Sequence, residues 1–173
     1  INASKVVGKI KAESEEKVST IDLNILNNLK EDIEDVTIIG RLPTEGNTDG
    51  NGNVLSTGVE AYLEKEIVTT GLINKIYYSE EINVEKESES WKEEVEDYSK
   101  IKSFKIEIEN NVVHQGEGID ISYNLVIPKN IEYNSSAYGA NIINYKEGNV
   151  FKSKNILVGL ETEEKAITLD DFP

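Results

Sequence analysis

The sequence predicts an all-β sandwich of mostly antiparallel strands with one short helix, and three observations carry that prediction. Apolar and polar residues alternate with a period of two over residues 104–109 and 119–127, the pattern of strands with one buried face. Clusters of Gly, Asn, Ser and Pro separate these runs from their neighbours at short intervals, the spacing of a sandwich or barrel. The more ambiguous runs of the first half are rich in β-branched residues, which favour strands over helices.

The elements follow in order. Val6, Gly8, Ile10 and Ala12 alternate with Lys5, Lys9 and Lys11 as an opening or edge strand. Residues 18–29 fit both periods, since Ile21, Leu23 and Ile25 suit a strand while Ile21, Ile25, Leu29 and Ile33 suit a helix. The β-branched Val18, Thr20, Ile21 and Ile25 and the turn-forming Asn27-Asn28 decide for a strand. Residues 36–42 form another strand, stopped by Pro43, and residues 45–53 are almost all Gly, Asn, Asp and Thr, hence a flexible loop. Val59, Leu63 and Ile67 fit a short helix or a strand, and residues 73–78 a strand. Residues 80–97 hold nine acids and two lysines, with Trp91, Val95 and Tyr98 at helical spacing. They read as a short helix or long connection that packs the tryptophan on the sandwich. The alternating runs at 104–109 and 119–127 are expected to be antiparallel neighbours, joined through Asn110-Asn111 and Gln115-Gly116-Glu117-Gly118. Residues 137–145 and 156–160 complete the set.

Composition narrows the function. A chain of 173 residues buries a core without staples. With 33 acidic against 18 basic side chains, a net charge of −15 and Arg41 as its single arginine, it is unsuited to nucleic acid or anionic lipid, which require clustered cations. Cysteine is absent, which excludes disulfides, thiolate nucleophiles and cysteine metal sites. No apolar run approaches the roughly 20 residues that span a bilayer. Methionine is absent and the first residue is Ile1, so the chain is expected to be cut from a longer protein.

Three segments together carry a family resemblance. They are Val36-Thr37-Ile38-Ile39-Gly40-Arg41-Leu42-Pro43 after a strand that ends in Asn, then Trp91 followed by Ile101-Lys102-Ser103-Phe104-Lys105-Ile106. The third runs from Gly116-Glu117-Gly118 through the alternating strand to Ile127-Pro128, with Tyr133-Asn134-Ser135-Ser136-Ala137-Tyr138 behind it. The chain resembles the Ig-like repeat domains of Gram-positive, clostridial-type cell-wall-anchored surface and adhesin proteins, over residues 5–160 and with a long middle insertion. The resemblance implies an Ig-like β-sandwich with Greek-key connections, an extracellular location at the cell surface or cell wall, and a non-catalytic structural or adhesive role. One module over residues 1–165 and a linker toward a following module over residues 166–173 are expected. The partners it implies are neighbouring modules of the same chain and a host extracellular protein or glycan.

Candidate sites are few, and no catalytic residue is assigned. His114 is the only histidine and reads as a solvated loop residue, since a triad or histidine metal site would need partners the chain does not offer. Calcium is the metal the residues would suit, because Asp49, Asn51, Asn53 and Glu60 occupy positions one, three, five and twelve of an EF-hand-like spacing. Val54 stands where that loop turns on glycine, so a Gly-Asn hairpin loop without metal competes with it. In keeping with the resemblance, an internal isopeptide bond would join Lys9 to Asn141, although the alternation turns Lys9 away from the apolar face. Tyr133 and Tyr138 are candidates for ligand contact, against an ordinary packing role. Recognition of a ligand, and service as an accessory domain of a secreted enzyme, stand as alternatives to the structural role.

Overall fold

The computed structural model describes residues 1–56, 58–109 and 111–171. Asn110 of the expected Asn110-Asn111 turn and the end of the expected linker over 166–173 therefore lie outside the described residues. The strands are β1 (Val6–Ile10), β2 (Lys17–Leu26), β3 (Ile33–Arg41), β4 (Tyr62–Leu63), β5 (Val68–Gly71) and β6 (Asn74–Ser79). They continue with β7 (Ser103–Ile108), β8 (Val112–Val113), β9 (Gly118–Ile127), β10 (Ser136–Glu147) and β11 (Val150–Thr162). The chain is an all-β sandwich of two sheets. The larger sheet has the order β1-β11-β10-β3-β7-β6, with β8 beside β3; the smaller has β2-β9-β4, with β5 also on β9.

Alternation builds the core. On β2 and β9, Ile21, Leu23, Ile25, Ile119, Ile121, Tyr123, Leu125 and Ile127 point inward and are buried. From the larger sheet they meet Ile38, Phe104, Ile106, Ile143, Ile156, Val158 and Leu160. At the centre, Gly40 is paired with both Asn141 and Phe104. Its missing side chain is what admits the Phe104 ring, which a Cβ at Gly40 would overlap. The ring meets Tyr123 of the opposite sheet edge to face, 5.4 Å between centroids.

One expectation needs correction, and two open readings resolve. The strands at 103–108 and 118–127 are not neighbours: β7 lies between β3 and β6 in the larger sheet, and β9 between β2 and β4 in the smaller. Both are apolar on one face because they face each other across the core, and alternation reports the buried face without naming the strand alongside. Of the two readings of residues 80–97, a short helix or a long connection, the connection holds: they are a strap of turns, pinned by an antiparallel bridge between Tyr78 and Lys92. A single 3-10 turn, Tyr98–Lys100, follows it, with Asp97 accepting from the Ser99 amide at its start. A second such turn spans Leu169–Asp171. Of residues 59–67, read as a short helix or a strand, only Tyr62–Leu63 form a strand, β4, and none form a helix.

The ends of the sheets are distinct. Asn2 pairs with Leu26 at one pole, beside Gly118 and the β10–β11 turn. Thr162, Ile10, Lys17 and Ile127 lie together at the other, where Ala12 N donates to Glu163 Oε1 at 3.3 Å. Among the described residues no helix is long and apolar enough to cross a membrane.

Candidate functional site

The outer face of the larger sheet holds most of the polar residues of interest, because two connections fold over it. The first is the loop at 45–56, which is tied to the sheet by hydrogen bonds of Asn47 and Arg41. Asn47 is buried, donates from Nδ2 to the carbonyls of Leu42 (2.8 Å) and Tyr138 (2.9 Å), and accepts from the Ser56 amide. Arg41 reaches from β3 and donates through Nη1 to Thr48 O, Thr48 Oγ1 and Asp49 O at 2.9–3.1 Å. Burial lowers its pKa, opposed by the charges of Glu85 and Asp49. The single arginine thus organises a loop.

That arrangement decides where the cation-site candidates stand. Asp49 Oδ1 accepts from the amides of Asn51 and Asn53, and Oδ2 accepts from Asn53 Nδ2. Partial desolvation pushes the Asp49 pKa up, but these hydrogen bonds and the nearby Arg41 charge outweigh it, so the group titrates below the usual carboxylate range. Glu60 accepts instead from the Glu45 amide at the base of the loop. Asp49, Asn51 and Asn53 therefore cluster in one turn around their own hydrogen bonds, with Glu60 engaged elsewhere. Among the described residues no three carboxylate or histidine groups converge as metal ligands do.

The second connection is the strap at 80–97. Lys105 projects outward from β7 and is only 7% exposed. Its ammonium lies 4.9 Å from the Tyr77 ring centroid and 5.3 Å from that of Trp91. It donates to Lys86 O at 3.2 Å and pairs with Glu107 at 3.1 Å. The expected wet face of β7 is thus covered at Lys105, because the strap buries the lysine stem beneath Trp91. Ile39, Ala140 and Ile142 form a small apolar cluster on this side, with Leu55 and Trp91 over it. Trp91 is the only tryptophan, so its emission reports the strap directly. Lys105→Ala is expected to red-shift that emission and to lower stability by ~1 kcal/mol, within the range of cation–π contacts. Unchanged emission would show that Lys105 does not hold the strap.

Lys9 and Asn141 are not brought together. Lys9 is the exposed residue of the edge strand β1 and pairs with Glu161 at 2.6 Å. Asn141 is fully buried in the core, two strands away, where Nδ2 donates to the Tyr123 hydroxyl at 3.2 Å and Oδ1 has no protein partner. Glu161 stands opposite Ser136 in the register, five residues along β10 from Asn141, about 17 Å. The residue that faces Asn141 across the core is a tyrosine. Burial raises the pKa of Tyr123 strongly, so its hydroxyl stays protonated.

Tyr138 lies on β10 and its hydroxyl donates to Glu161, so Lys9, Glu161 and Tyr138 lace β1, β11 and β10 together. Hydrogen bonds from Lys9 and Tyr138 hold the Glu161 pKa below its ordinary value. Tyr133 is half-buried in the connection before β10.

His114 sits in the loop between β8 and β9, exposed, with Nδ1 2.9 Å from Asp32 Oδ1. The Asp32 hydrogen bond and charge raise its pKa. A raised folded-state pKa means that the imidazolium stabilises the fold at low pH, and that this contribution is lost as pH rises through the folded value. Titration of the His114 ring by NMR is expected to give a pKa above the ordinary histidine value of ~6.5. Asp32→Asn is expected to return it to that value, and no change on this substitution would contradict the pairing.

A groove of about 640 Å³ runs beside the strap, lined by Tyr78, Glu80, Glu81, Lys92, Glu94 and Asp97 among others. Neither this groove nor the roles of Arg41, Asn47 and Lys105 were legible in the sequence. A buried Asn or Arg whose partners are backbone carbonyls leaves no periodic trace.

No protein-family model matches the chain, and no curated protein matches it. Solved structures do. The collagen-binding subdomain ACE19 of the Enterococcus faecalis surface protein ACE is 16% identical, with a TM-score of 0.46 over 90% of this chain and 93% of that one. A putative membrane-anchored protein from Corynebacterium diphtheriae is 10% identical, with a TM-score of 0.53 over 94% of this chain and 36% of that one. A variant of BcpA, the major pilin subunit of Bacillus cereus, is 8% identical, with a TM-score of 0.44 over 93% of this chain and 40% of that one. The Corynebacterium likeness shows a shared fold.

Proposed function

We propose that the chain is a non-catalytic structural or adhesive module of a bacterial cell-surface protein, one unit in a stalk that projects a binding region outward. The observation that carries this reading is the course of the chain, which enters the sandwich at the pole of Asn2 and Leu26 and leaves it at the pole of Thr162 and Glu163. A domain threaded from pole to pole adds its full length to whatever it joins. The sandwich fold shared with the Corynebacterium protein supports the reading. In it, residues 1–165 are the module and residues 166–173 the start of a linker. The Lys9–Glu161–Tyr138 lacing and the Arg41-held loop then serve rigidity rather than chemistry.

Immunogold labelling of intact cells of the source organism tests the setting. Label on the outer surface is expected; label confined to the cytoplasm would overturn the proposal. A second reading, recognition of a host protein or glycan, is favoured by the groove beside the strap. A binding screen against matrix proteins and glycans separates the two: the stalk reading expects silence, and a saturable ligand lost on Glu94→Lys would favour recognition.

A further inference from the structure

The strands nearest the two ends of the sandwich lie side by side, and they run in the same direction. β1 pairs with β11 in parallel through five residue pairs, from Val6 with Val158 to Ile10 with Thr162. Tension applied at Ile1 draws β1 toward the first pole, while tension applied beyond Glu163 draws β11 toward the other. The two strands are then pulled in opposite senses along their own axes. Interstrand hydrogen bonds lie across the strands, so this load shears all of them at once. An antiparallel pair pulled from one end opens its bonds one after another.

We propose that the β1–β11 ladder is the tension-bearing clamp of this module, the element whose rupture sets the force at which the chain unfolds end to end. Three features of the same region fit that role. Lys9 and Glu161 are register partners and also an ion pair, and Tyr138 on β10 donates to the same carboxylate. Load on β11 therefore passes into β10, which is paired to β11 over its whole length. Gly8 faces Leu160, and a Cβ there would stand 3.0 Å from Leu160 Cδ2, so the glycine lets β1 seat closely on the core. Both approaches to the ladder are also gripped. Asn2 exchanges two backbone hydrogen bonds with Leu26, and Glu163 accepts from Ala12 through its side chain and from Asn134 through its carbonyl. Forced unfolding follows the barrier and not the equilibrium stability. A short parallel ladder, modest in free energy, can therefore dominate the mechanical response.

The inference rests on the stalk reading for its purpose, but the clamp is a property of the purified chain. Single-molecule force spectroscopy tests it with two attachments on the same protein, which has no native cysteine. One pulls between the N-terminus and Glu164→Cys, loading the ladder in shear. The other pulls between Glu15→Cys, in the turn after β1, and Glu164→Cys, which peels β1 from β11 at a single pole. Rupture force is expected to be several-fold higher in the first geometry, and Lys9→Ala with Glu161→Ala to lower it there alone. Equal forces, or a higher force in the peeling geometry, would overturn the clamp. Urea melts of each variant confirm folding, and Glu16→Cys replaces Glu15→Cys should the latter fail to fold. Absence of the chain from the cell surface would refute the stalk reading and leave the force ratio untouched.

Discussion

Gly40→Ala is expected to cost at least ~3 kcal/mol, the upper end of what overpacking a core does. Gly40 lies on β3, in the interior of the larger sheet, and a Cβ there falls within the Phe104 ring. Relief by a small shift is blocked, because Phe104 is fully buried and its other side meets Tyr123. Against a total stability of about 5–15 kcal/mol for a domain, such a loss brings a large drop in the urea midpoint. Phe104→Ala, which empties the space instead, is expected to cost ~3–5 kcal/mol. The diagnostic experiment is the double variant: Gly40→Ala in a Phe104→Leu background should cost far less than in the native chain. Additive losses would show that the glycine serves the backbone and not the ring.

The second large effect concerns the polar pair sealed in the core. Tyr123→Phe leaves the Asn141 amide without its only side-chain partner, and Asn141→Val strands the Tyr123 hydroxyl. Each single change is expected to cost ~1–3 kcal/mol, the penalty for a buried polar group without a partner. The double variant removes both groups, and with them the unpartnered Oδ1 of Asn141, so it is expected to match or exceed native stability. A double-mutant cycle in urea reads the coupling. Losses that simply add would indicate that the 3.2 Å contact contributes nothing.

What the sequence disclosed follows the physics of each element. β2, β7 and β9 announce themselves because one face is apolar and the other is not, and their inward residues are those the alternation named. Which strand lies beside which is invisible to that pattern, and so β7 and β9 were expected in one sheet when they close the core from opposite sides. The β10–β11 hairpin extends to Glu147 and Val150, beyond the stretch that reads as strand, because its outer part is polar or exposed on both faces. Lys105 was expected in water since nothing in its spacing tells of a strap that folds back over it. Asn47 and the pairing of Asn141 with Tyr123 depend on contacts between separate strands and loops, and Arg41 on how the loop just after its own strand folds back over it. The alternation already argues against a bond from Lys9 to Asn141, and the register partner of Lys9 is Glu161.

The most direct test of the pole-to-pole course of the chain is a distance between spin labels on the two ends of the fold. A pair at Asn2 and Glu164 spans the poles, and a pair at Glu15 and Glu164 shares one. The ten residue pairs of β2 with β9 separate those poles, which at ~3.3 Å per residue is about 30 Å. A narrow distribution near or above that value is expected for the first pair and a clearly shorter one for the second. A short Asn2–Glu164 distance, or two indistinguishable distributions, would contradict that course.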